Sequence, residues 1–381
     1  MKIQQLLLDG CQDAKIIVTT EGFDTNKTQL VLAFAERTLL EESSCYPALK
    51  KTYPNAAIII CSTAGQISND TLIVDKKVVV SALEFEKTKI NTIEVDILED
   101  SITDLGQKIK QNLFNEDLKS ILILSEGSFV NGTELVNELI KQTDASIPIF
   151  GGLAGDEYNF EKTFVGLNSE PKQGKIVAVG FYGNNIHFGF GSEGGWGGFG
   201  PEREVTSSDK NVLYKIGDKQ ALDLYKEYLG KYAEELPGSS LYFPLSMKEN
   251  IDSKAVVRTI LAIDEEKKSM TFAGNIPEGS FVRFMKGNLD NLIEASYDAA
   301  SKIVIGKSNE QPQFVLMISC VGRKIVLGNR IEEEIEVAKE LFTTNTIIGG
   351  FYSYGEISPA IDNVSCELHN QTMTITIISE D

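Results

Sequence analysis

The chain has 381 residues, of which 42% are hydrophobic, and its 55 acidic and 36 basic side chains give a formal net charge of −19. This length allows two domains of ordinary size, and the acidic balance argues against nucleic acids and anionic membranes as partners, since phosphates attract Lys and Arg. No apolar run approaches the ~20 residues of a membrane-spanning helix, and the N-terminal apolar run is too short for a signal peptide, so we expect a cytoplasmic protein.

The first predicted βαβ unit lies near the N-terminus. It comprises a strand at residues 15–20, a helix at residues 25–42 and a buried strand that ends at Cys61. Asp24 is the predicted N-cap of the helix. One face of this helix would carry the apolar residues Leu30, Ala33, Phe34 and Leu40.

The second unit contains the stretch around which the chain is organised. Strands at residues 120–125 and 147–152 flank a helix at residues 132–142. The second strand has no polar alternation, which is typical of a sheet covered on both faces. It ends in a glycine pair that permits close approach of another backbone or a ligand. Asp156 follows at the carboxyl end, where ligands commonly bind in open α/β sheets.

A glycine-rich segment at residues 189–201 separates this unit from the C-terminal part. Its two aromatic residues, Trp196 and Phe199, are unlike a flexible linker, so we expect an ordered segment with both rings packed down. The remaining predicted strands occupy residues 77–84, 90–97, 163–167, 175–182, 185–190, 255–263, 269–273, 280–285 and 372–378. The remaining predicted helices occupy residues 101–113, 220–228 and 289–305.

The third unit repeats the pattern near the C-terminus, with strands at residues 314–319 and 346–350 around a helix at residues 331–342. Three such units in one chain indicate internal duplication. We therefore predict an α/β protein with duplicated βαβ units and mixed sheets. The predicted domains are residues 1–215 and residues 216–381.

Five motifs in this order resemble those of FIST domains, the sensory modules of bacterial signal-transduction proteins. They are Cys-Ser-Thr-Ala-Gly-Gln-Ile at 61–67, Gly-Gly-Leu-Ala-Gly-Asp at 151–156, a junction at 205–225, Cys-x-Gly-Arg at 320–323, and the Gly-Gly-Phe-Tyr-Ser-Tyr-Gly-Glu segment that begins at residue 349. The resemblance covers nearly the whole chain. Gln66 departs from it, because the family often has Glu there, and this puts a charged role at that position in doubt.

The resemblance implies ligand sensing. FIST domains have been proposed to bind small molecules such as amino acids, and they signal through kinases, cyclases or chemoreceptor modules. Because no segment of this chain resembles such an output domain, we expect a stand-alone sensor that acts through a separate histidine kinase or cyclic-dinucleotide enzyme. Some stand-alone members are haem proteins that sense nitric oxide, which supplies an alternative function with haem as cofactor.

The predicted ligand-binding residues lie at the ends of the repeated strands and in the C-terminal motifs. They are Cys61, Ser62, Thr63, Gly65, Gly151, Gly152, Asp156, Cys320, Arg323, Tyr352, Tyr354 and Glu356. Arg323 would bind a ligand carboxylate, since a guanidinium suits that group bidentately. Asp156 or Glu356 would meet an ammonium group. These opposite charges predict a small, amino-acid-like ligand.

Each of these residues also has a structural interpretation. Cys61 and Ser62 equally suit a small, buried strand end, and Asp156 equally suits the cap of a turn. Arg323 is equally compatible with a salt bridge in an acidic protein. The tyrosines Tyr352 and Tyr354 equally suit a domain interface.

The cysteines and histidines give little support for catalysis or metal binding. Five scattered cysteines without a CxxC pair indicate free thiols. No Cys–His pairing is visible that would activate Cys61 or Cys320 as a nucleophile, so we do not expect an enzyme. With only two histidines, a His-rich metal site is excluded. His187 would be the ligand in the haem alternative, and His369 is a weaker candidate.

Overall fold

The computed structural model describes residues 1–143, 146–303, 312–359 and 366–381. The strands are β1 (Lys2–Asp9), β2 (Asp13–Thr19), β3 (Leu30–Glu36), β4 (Ala57–Thr63), β5 (Gln66–Ser68), β6 (Thr71–Ile73), β7 (Lys77–Glu84), β8 (Lys89–Asp96), β9 (Leu118–Ser125), β10 (Ile149–Leu153), β11 (Val165–Leu167), β12 (Lys175–Tyr182), β13 (Ile186–Glu193), β14 (Gly197–Asp209), β15 (Val212–Ile216), β16 (Lys219–Gln220), β17 (Leu245–Lys248), β18 (Val256–Arg258), β19 (Ile260–Asp264), β20 (Ser269–Phe272), β21 (Phe281–Lys286), β22 (Phe314–Cys320), β23 (Ile347–Ser353), β24 (Gly355–Pro359), β25 (Cys366–His369) and β26 (Met373–Glu380).

The α-helices lie between groups of strands along the chain. They are α1 (Arg37–Glu42), α2 (Tyr46–Thr52), α3 (Ile102–Leu113), α4 (Gly132–Gln142), α5 (Ala221–Leu229), α6 (Leu289–Ser301), α7 (Val321–Leu327) and α8 (Ile331–Lys339). Short 3-10 turns lie at Gly230–Glu235, Gly238–Tyr242 and Gly328–Arg330. None of the helices in the described part of the chain is both long and apolar enough to cross a membrane.

These strands form four sheets in the described residues. The first has the order β11-β4-β3-β7-β1-β2, the second β25-β24-β10-β9-β12-β8, and the third β13-β26-β22-β23-β5-β6. The first three each contain one parallel pair, namely β3–β4, β9–β10 and β22–β23, connected through helices. The fourth sheet, β18-β17-β21-β14-β15-β20-β19 with β16 beside β15, is antiparallel. The predicted α/β fold with duplicated βαβ units and mixed sheets is confirmed.

The first, second and third sheets enclose a common apolar core. Phe34 from the first sheet, Phe150 and Phe181 from the second, and Phe314 and Phe351 from the third are fully buried in it. Each sheet turns its other face to helices: α1 and α2 cover the first, α3 and α4 the second, and α6 to α8 the third. Both faces of these sheets are therefore buried, which explains their continuous apolar strands.

The helix predicted at residues 25–42 is wrong up to residue 36, because residues 30–36 form the fully buried strand β3 and only residues 37–42 are helical, as α1. Its side chains alternate: Leu30, Leu32 and Phe34 face the common core, whereas Val31 and Ala33 face the helical layer. A strand buried on both faces is apolar at every position, so its sequence also matches one face of a helix. The partner of β4 in the first βαβ unit is thus β3, and the strand near residue 15 is an edge strand.

Strands from distant parts of the chain share sheets. In the second sheet β24 pairs with β10, and in the third β5 pairs with β23 and β13 with β26. The predicted boundary at residue 215 falls within β15. The division into residues 1–215 and 216–381 stays a prediction about the organisation of the sequence.

Two further expectations concern single residues. The interpretation of all cysteines as free thiols is wrong for Cys11 and Cys45, which form a disulfide between the turn after β1 and the start of α2. Thirty-four residues separate the two in sequence, so only the fold brings them together. The glycine-rich segment is ordered as predicted: Trp196 is buried and its indole N–H donates to the carbonyl oxygen of Gln371 at 2.8 Å.

Candidate functional site

The carboxyl ends of β4, β10 and β23 meet at one place. The backbone N–H of Ala64 donates to the carbonyl oxygen of Tyr352 at 2.8 Å, and that of Gly155 donates to Ser62 at 3.0 Å. The N–H of Tyr354 donates to the carbonyl oxygen of Leu153 at 3.2 Å. We call this meeting point, formed by residues 62–65, 153–156 and 352–354, the strand-end junction. The sequence motifs of all three βαβ units thus come together.

The glycines of the motifs permit close packing of backbones at the junction. A Cβ on Gly151, whose φ is +139°, would lie 1.9 Å from the carbonyl oxygen of Ile123. A Cβ on Gly350 in the third unit would lie equally close, 1.9 Å, to that of Met317. Gly65 has the same φ of +139° and faces the Nζ of Lys324. At these positions the glycines fit one strand against its neighbour.

The hydroxyls and thiol that end β4 are used inside the protein. The thiol of Cys61 is buried in the common core, and burial raises its pKa. The hydroxyl of Ser62 accepts the backbone N–H of Phe164 at 2.8 Å. The hydroxyl of Thr63 donates to the carbonyl oxygen of Ala35 at 3.3 Å. These contacts match the structural interpretation of the Cys-Ser-Thr motif.

Asp156 organises the loop that follows the junction. Its buried carboxylate accepts the backbone N–H groups of residues 160–162 at 2.8–3.1 Å. It also accepts the hydroxyl of Tyr354 and lies 3.4 Å from the Nε of Arg37. The ring of Tyr354 stacks on Phe160 at 4.6 Å. Asp156 therefore acts as the cap of this loop, as its structural interpretation predicted.

Arg323 is fully buried and bound to other parts of the protein. Its Nε donates to the carboxylate of Glu334 at 2.9 Å, and its Nη1 and Nη2 donate to the carbonyl oxygens of Gly194 at 2.7 Å and Leu292 at 2.6 Å. The hydroxyl of Tyr352 donates to the same Glu334 at 2.8 Å. In this geometry Arg323 connects α7 with α6, α8 and the glycine-rich segment, and Tyr352 connects β23 with α8. They are not exposed to a ligand at the junction.

Glu356 is a buried carboxyl group next to the thiol of Cys320. Its Oε1 accepts the hydroxyl of Ser353 at 2.6 Å, and its Oε2 accepts the backbone N–H of Thr372 at 3.2 Å. Burial raises the pKa of Glu356 from its ordinary value of 4.5 to about 8, and burial also raises the pKa of Cys320. At neutral pH the carboxyl group is mostly protonated, and burial also favours the protonated form of the thiol.

This pKa predicts a pH-dependent stability that Glu356→Gln removes. Because the folded protein holds the proton more tightly than the unfolded chain, the free energy of unfolding falls as pH rises from about 4.5 to 8. The slope is up to about 1.4 kcal/mol per pH unit and vanishes above this range. Urea unfolding of both proteins between pH 5 and 9 measures the difference. Parallel pH profiles for wild type and Glu356→Gln would contradict the prediction.

Five side chains that the sequence analysis did not single out surround the accessible side of the junction. We call them the rim: Glu36, Arg37, Glu157, Tyr158 and Lys324. The Nζ of Lys324 donates to the carbonyl oxygen of Ala64 at 2.6 Å and lies 5.1 Å from the centre of the Tyr158 ring. Tyr158 is 53% exposed, whereas Glu36 and Lys324 are each 8% exposed, so the rim reaches solvent mainly at Tyr158. Glu36 ends β3 and Arg37 follows it, Glu157 and Tyr158 follow the Gly-Gly-Leu-Ala-Gly-Asp motif, and Lys324 follows Arg323. This adjacency was the available signal.

The charges of the rim influence one another in a partly buried setting. Burial lowers the pKa of Lys324, and the carboxylates of Glu157 and Glu36 act against that shift. Burial raises the pKa of Glu157, and Glu36 adds to the shift. Attraction between charges is stronger in such a setting than in bulk water. The rim therefore holds cations and carboxylates close enough to shift one another's pKa values, which suits a small ligand that carries both signs.

The predicted haem ligand does not have a suitable environment. The Nε2 of His187 lies 2.7 Å from the carboxylate of Asp381, and the side chain is 34% exposed on β13, an edge strand. A haem-binding His needs an enclosed apolar cavity, and this half-exposed pair does not fit one. In the described part of the chain, no group of three or more His, Cys, Asp or Glu side chains is arranged to hold a metal ion.

Comparison with known proteins relates this geometry to a family. Residues 29–219 match the FIST N domain and residues 221–359 match the FIST C domain. The chain is also similar to an uncharacterized protein of Methanocaldococcus jannaschii, with 23% identity over 393 residues that cover 93% of this chain and 74% of that protein. The matched regions contain the whole strand-end junction and all five rim residues.

Proposed function

The chain belongs to the FIST family, whose domains are sensory and bind small ligands in signal transduction, and on this premise we propose that the rim binds a small, amino-acid-like ligand. The observation that carries this proposal is the position of the rim, where the motifs of all three βαβ units meet. In the proposal the protein is a cytoplasmic sensor that passes the signal to a separate histidine kinase or cyclic-dinucleotide enzyme.

The charges of the rim support a ligand with both a carboxylate and an ammonium group. Lys324 and Arg37 provide the cations for the carboxylate, and Glu36 and Glu157 provide the acids for the ammonium. Tyr158 offers an exposed aromatic face beside them. The carboxylate role first predicted for Arg323 is transferred to its neighbour Lys324, since Arg323 is enclosed with Glu334.

The position of Lys324 suggests how binding would reach the rest of the protein. Lys324 and Arg323 are neighbours on α7, and Arg323 binds α6 and α8 through Leu292 and Glu334. A ligand carboxylate that competes with the carbonyl oxygen of Ala64 for Lys324 would change the contact between α7 and β4. Because the proposed site and the contacts of Arg323 lie on the same helix, α7, ligand binding can change how α6, α7 and α8 pack together.

Binding rather than catalysis is the activity we propose. Burial raises the pKa of the Cys61, Cys320 and Cys366 thiols. A nucleophilic cysteine needs the opposite shift, which a neighbouring base or cation provides. This observation supports a sensor that acts through its partner.

We expect Lys324→Met to weaken ligand binding about 10- to 100-fold, because a hydrogen bond to a charged group contributes about 1.5–3 kcal/mol. Thermal-shift screening of the full chain with amino acids and small carboxylates would identify a ligand, and calorimetric titration would measure its affinity for wild type and variant. Lys226→Met, which removes a surface cation on α5, is the matched control and should bind normally. Failure of all tested zwitterions to bind, or equal affinity for Lys324→Met, would contradict the proposal.

A further inference from the structure

A cleft of about 270 Å³ lies between α4, the β17–β18 hairpin and β25. None of the rim residues lines it. Its wall contains two cations, Lys254 and Arg258, and a set of apolar side chains from all three elements: Val136, Met247, Val256 and Leu368. The volume lies just below the range of about 300–1,000 Å³ that holds drug-sized ligands, so the cleft would hold a smaller molecule.

Arg258 is unusual among the cations of this protein, whose net charge is −19, since a charged side chain is seldom buried and Arg258 is only 5% exposed. Its Nε donates to the carbonyl oxygen of Asn275 at 3.2 Å, and its Nη1 donates to those of Val257 at 3.2 Å and Leu368 at 3.0 Å. These acceptors are neutral, and Nη2 takes part in none of these bonds. A buried guanidinium is stabilised by an anion that it can bind bidentately.

His369 ends β25 next to Leu368, a residue of the cleft wall. The imidazole is 6% exposed, and its Nε2 has no hydrogen-bond partner among the described residues. It lies close enough to Lys254 and Arg258 for their charges to lower its pKa, after burial itself. Apart from burial, this shift reflects the positive charge of Lys254 and Arg258, which favours an anion at this end of the cleft.

The acidic residues near the cleft limit what this group can be. Glu249 and Glu367 line the cleft, and their charges act on Arg258. Two nearby carboxylates oppose a multiply charged anion such as phosphate, whereas a single carboxylate binds Arg258 and Lys254 with less repulsion. Glu249 is exposed at the edge of the cleft and can receive an ammonium group.

We propose that this cleft binds a small carboxylate with a compact apolar body. The carboxylate contacts Arg258 and Lys254, and the body packs against Val136, Met247 and Leu368. Because α4 lies in the FIST N region and β17 and β18 lie in the FIST C region, the ligand contacts both regions. This site is independent of the rim, and either can be correct without the other.

Met247 supplies a direct probe of the cleft. The chain has six methionines, and in the described residues Met247 is the one that lines this cleft. With [13C]methyl-methionine in the full chain, we expect 4-methylpentanoate and leucine to shift the Met247 signal, while 3-methylbutylamine, which lacks a carboxylate, leaves it unchanged. A tighter response to leucine assigns an amino acid with its ammonium at Glu249, and equal responses assign a simple carboxylic acid. No shift with either carboxylate would overturn the proposal.

Two variants test the contacts without removing Arg258, which is needed for the local structure. Lys254→Met should weaken binding about 10-fold, and Lys267→Met, at an exposed hairpin lysine, should not. Asn137→Trp should block the cleft from the exposed face of α4, and Lys141→Ala on the same helix should not. If the Met247 shift persists in Lys254→Met and Asn137→Trp with unchanged affinity, the proposed contacts are wrong.

Discussion

Replacing Arg323 by alanine is expected to lower the free energy of unfolding by about 3–5 kcal/mol, the usual effect of removing one partner of a buried ion pair. The substitution would leave the carboxylate of Glu334 buried with only the hydroxyl donors of Ser296, Ser319 and Tyr352. It would also leave the carbonyl oxygens of Gly194 and Leu292 without their donor. Each of these losses carries a desolvation cost.

Chemical denaturation followed by circular dichroism measures this effect, and Arg330→Ala is the matched control. Arg330 forms ion pairs with Glu333 and Asp290 at the surface, where such pairs contribute about 0–1 kcal/mol. Arg323→Lys should recover only part of the stability, because an ammonium cannot reproduce the planar arrangement of donors. If Arg323→Ala unfolds like wild type but loses ligand binding, Arg323 contacts the ligand and the structural role assigned to it is wrong.

The contrast between Arg323 and Lys324 shows how far the sequence could locate the site. The Cys-x-Gly-Arg motif draws attention to Arg323, and a sequence contains no sign of which of two adjacent cations points inward. That direction is set by α7, which begins at Val321 and turns Arg323 towards α6 and α8 while Lys324 reaches β4. The motif thus lies one residue from Lys324, the cation to which we assign the ligand carboxylate, and the helix determines which of the two side chains points inward.

Helices could be predicted from the sequence where an N-cap residue marks the start and polar residues mark the exposed face. Helix α4 begins after Asn131, whose side chain accepts the N–H groups of Thr133 and Glu134, and its predicted bounds agree with the structure. Strand β3 was mistaken for a helix because burial on both faces removes the alternation that identifies a strand. Pairings such as β5 with β23 join residues almost 300 positions apart and leave no local pattern in the sequence.

The rim was missed for a related reason. Glu36 is the last residue of β3 and Arg37 follows it, both in the segment that was assigned to a helix, so their place at a strand end was not visible. The same error hid the symmetry of the three βαβ units, each of which ends one strand at the junction. Correct assignment of β3 would have directed attention to its polar end in the same way as for β4 and β10.

Replacing Gly151 by alanine is expected to destabilise the protein by more than about 4 kcal/mol, a size that marks a severe local conflict. The new Cβ would lie 1.9 Å from the carbonyl oxygen of Ile123 on the paired strand β9, at a backbone φ of +139° that alanine rarely adopts. Backbone atoms of a central strand cannot move aside without breaking the β9–β10 pairing. Gly350→Ala should have a similar effect, because its Cβ would meet Met317 at the same distance of 1.9 Å.

Alanine substitutions at two other glycines distinguish the effect of the steric clash at Gly151 from the effect of its positive φ. Gly183 has a φ of +110° and open space around its Cβ position, so Gly183→Ala should cost only about 1–2 kcal/mol. Gly238 has neither a positive φ nor a close neighbour, and Gly238→Ala should be neutral or slightly stabilising. Urea unfolding of the four variants, with soluble yield for those that fail to fold, gives the ranking. A Gly151→Ala protein as stable as Gly183→Ala would mean that β9 and β10 do not pack closely, and the strand-end junction built on them would lose its rigid base.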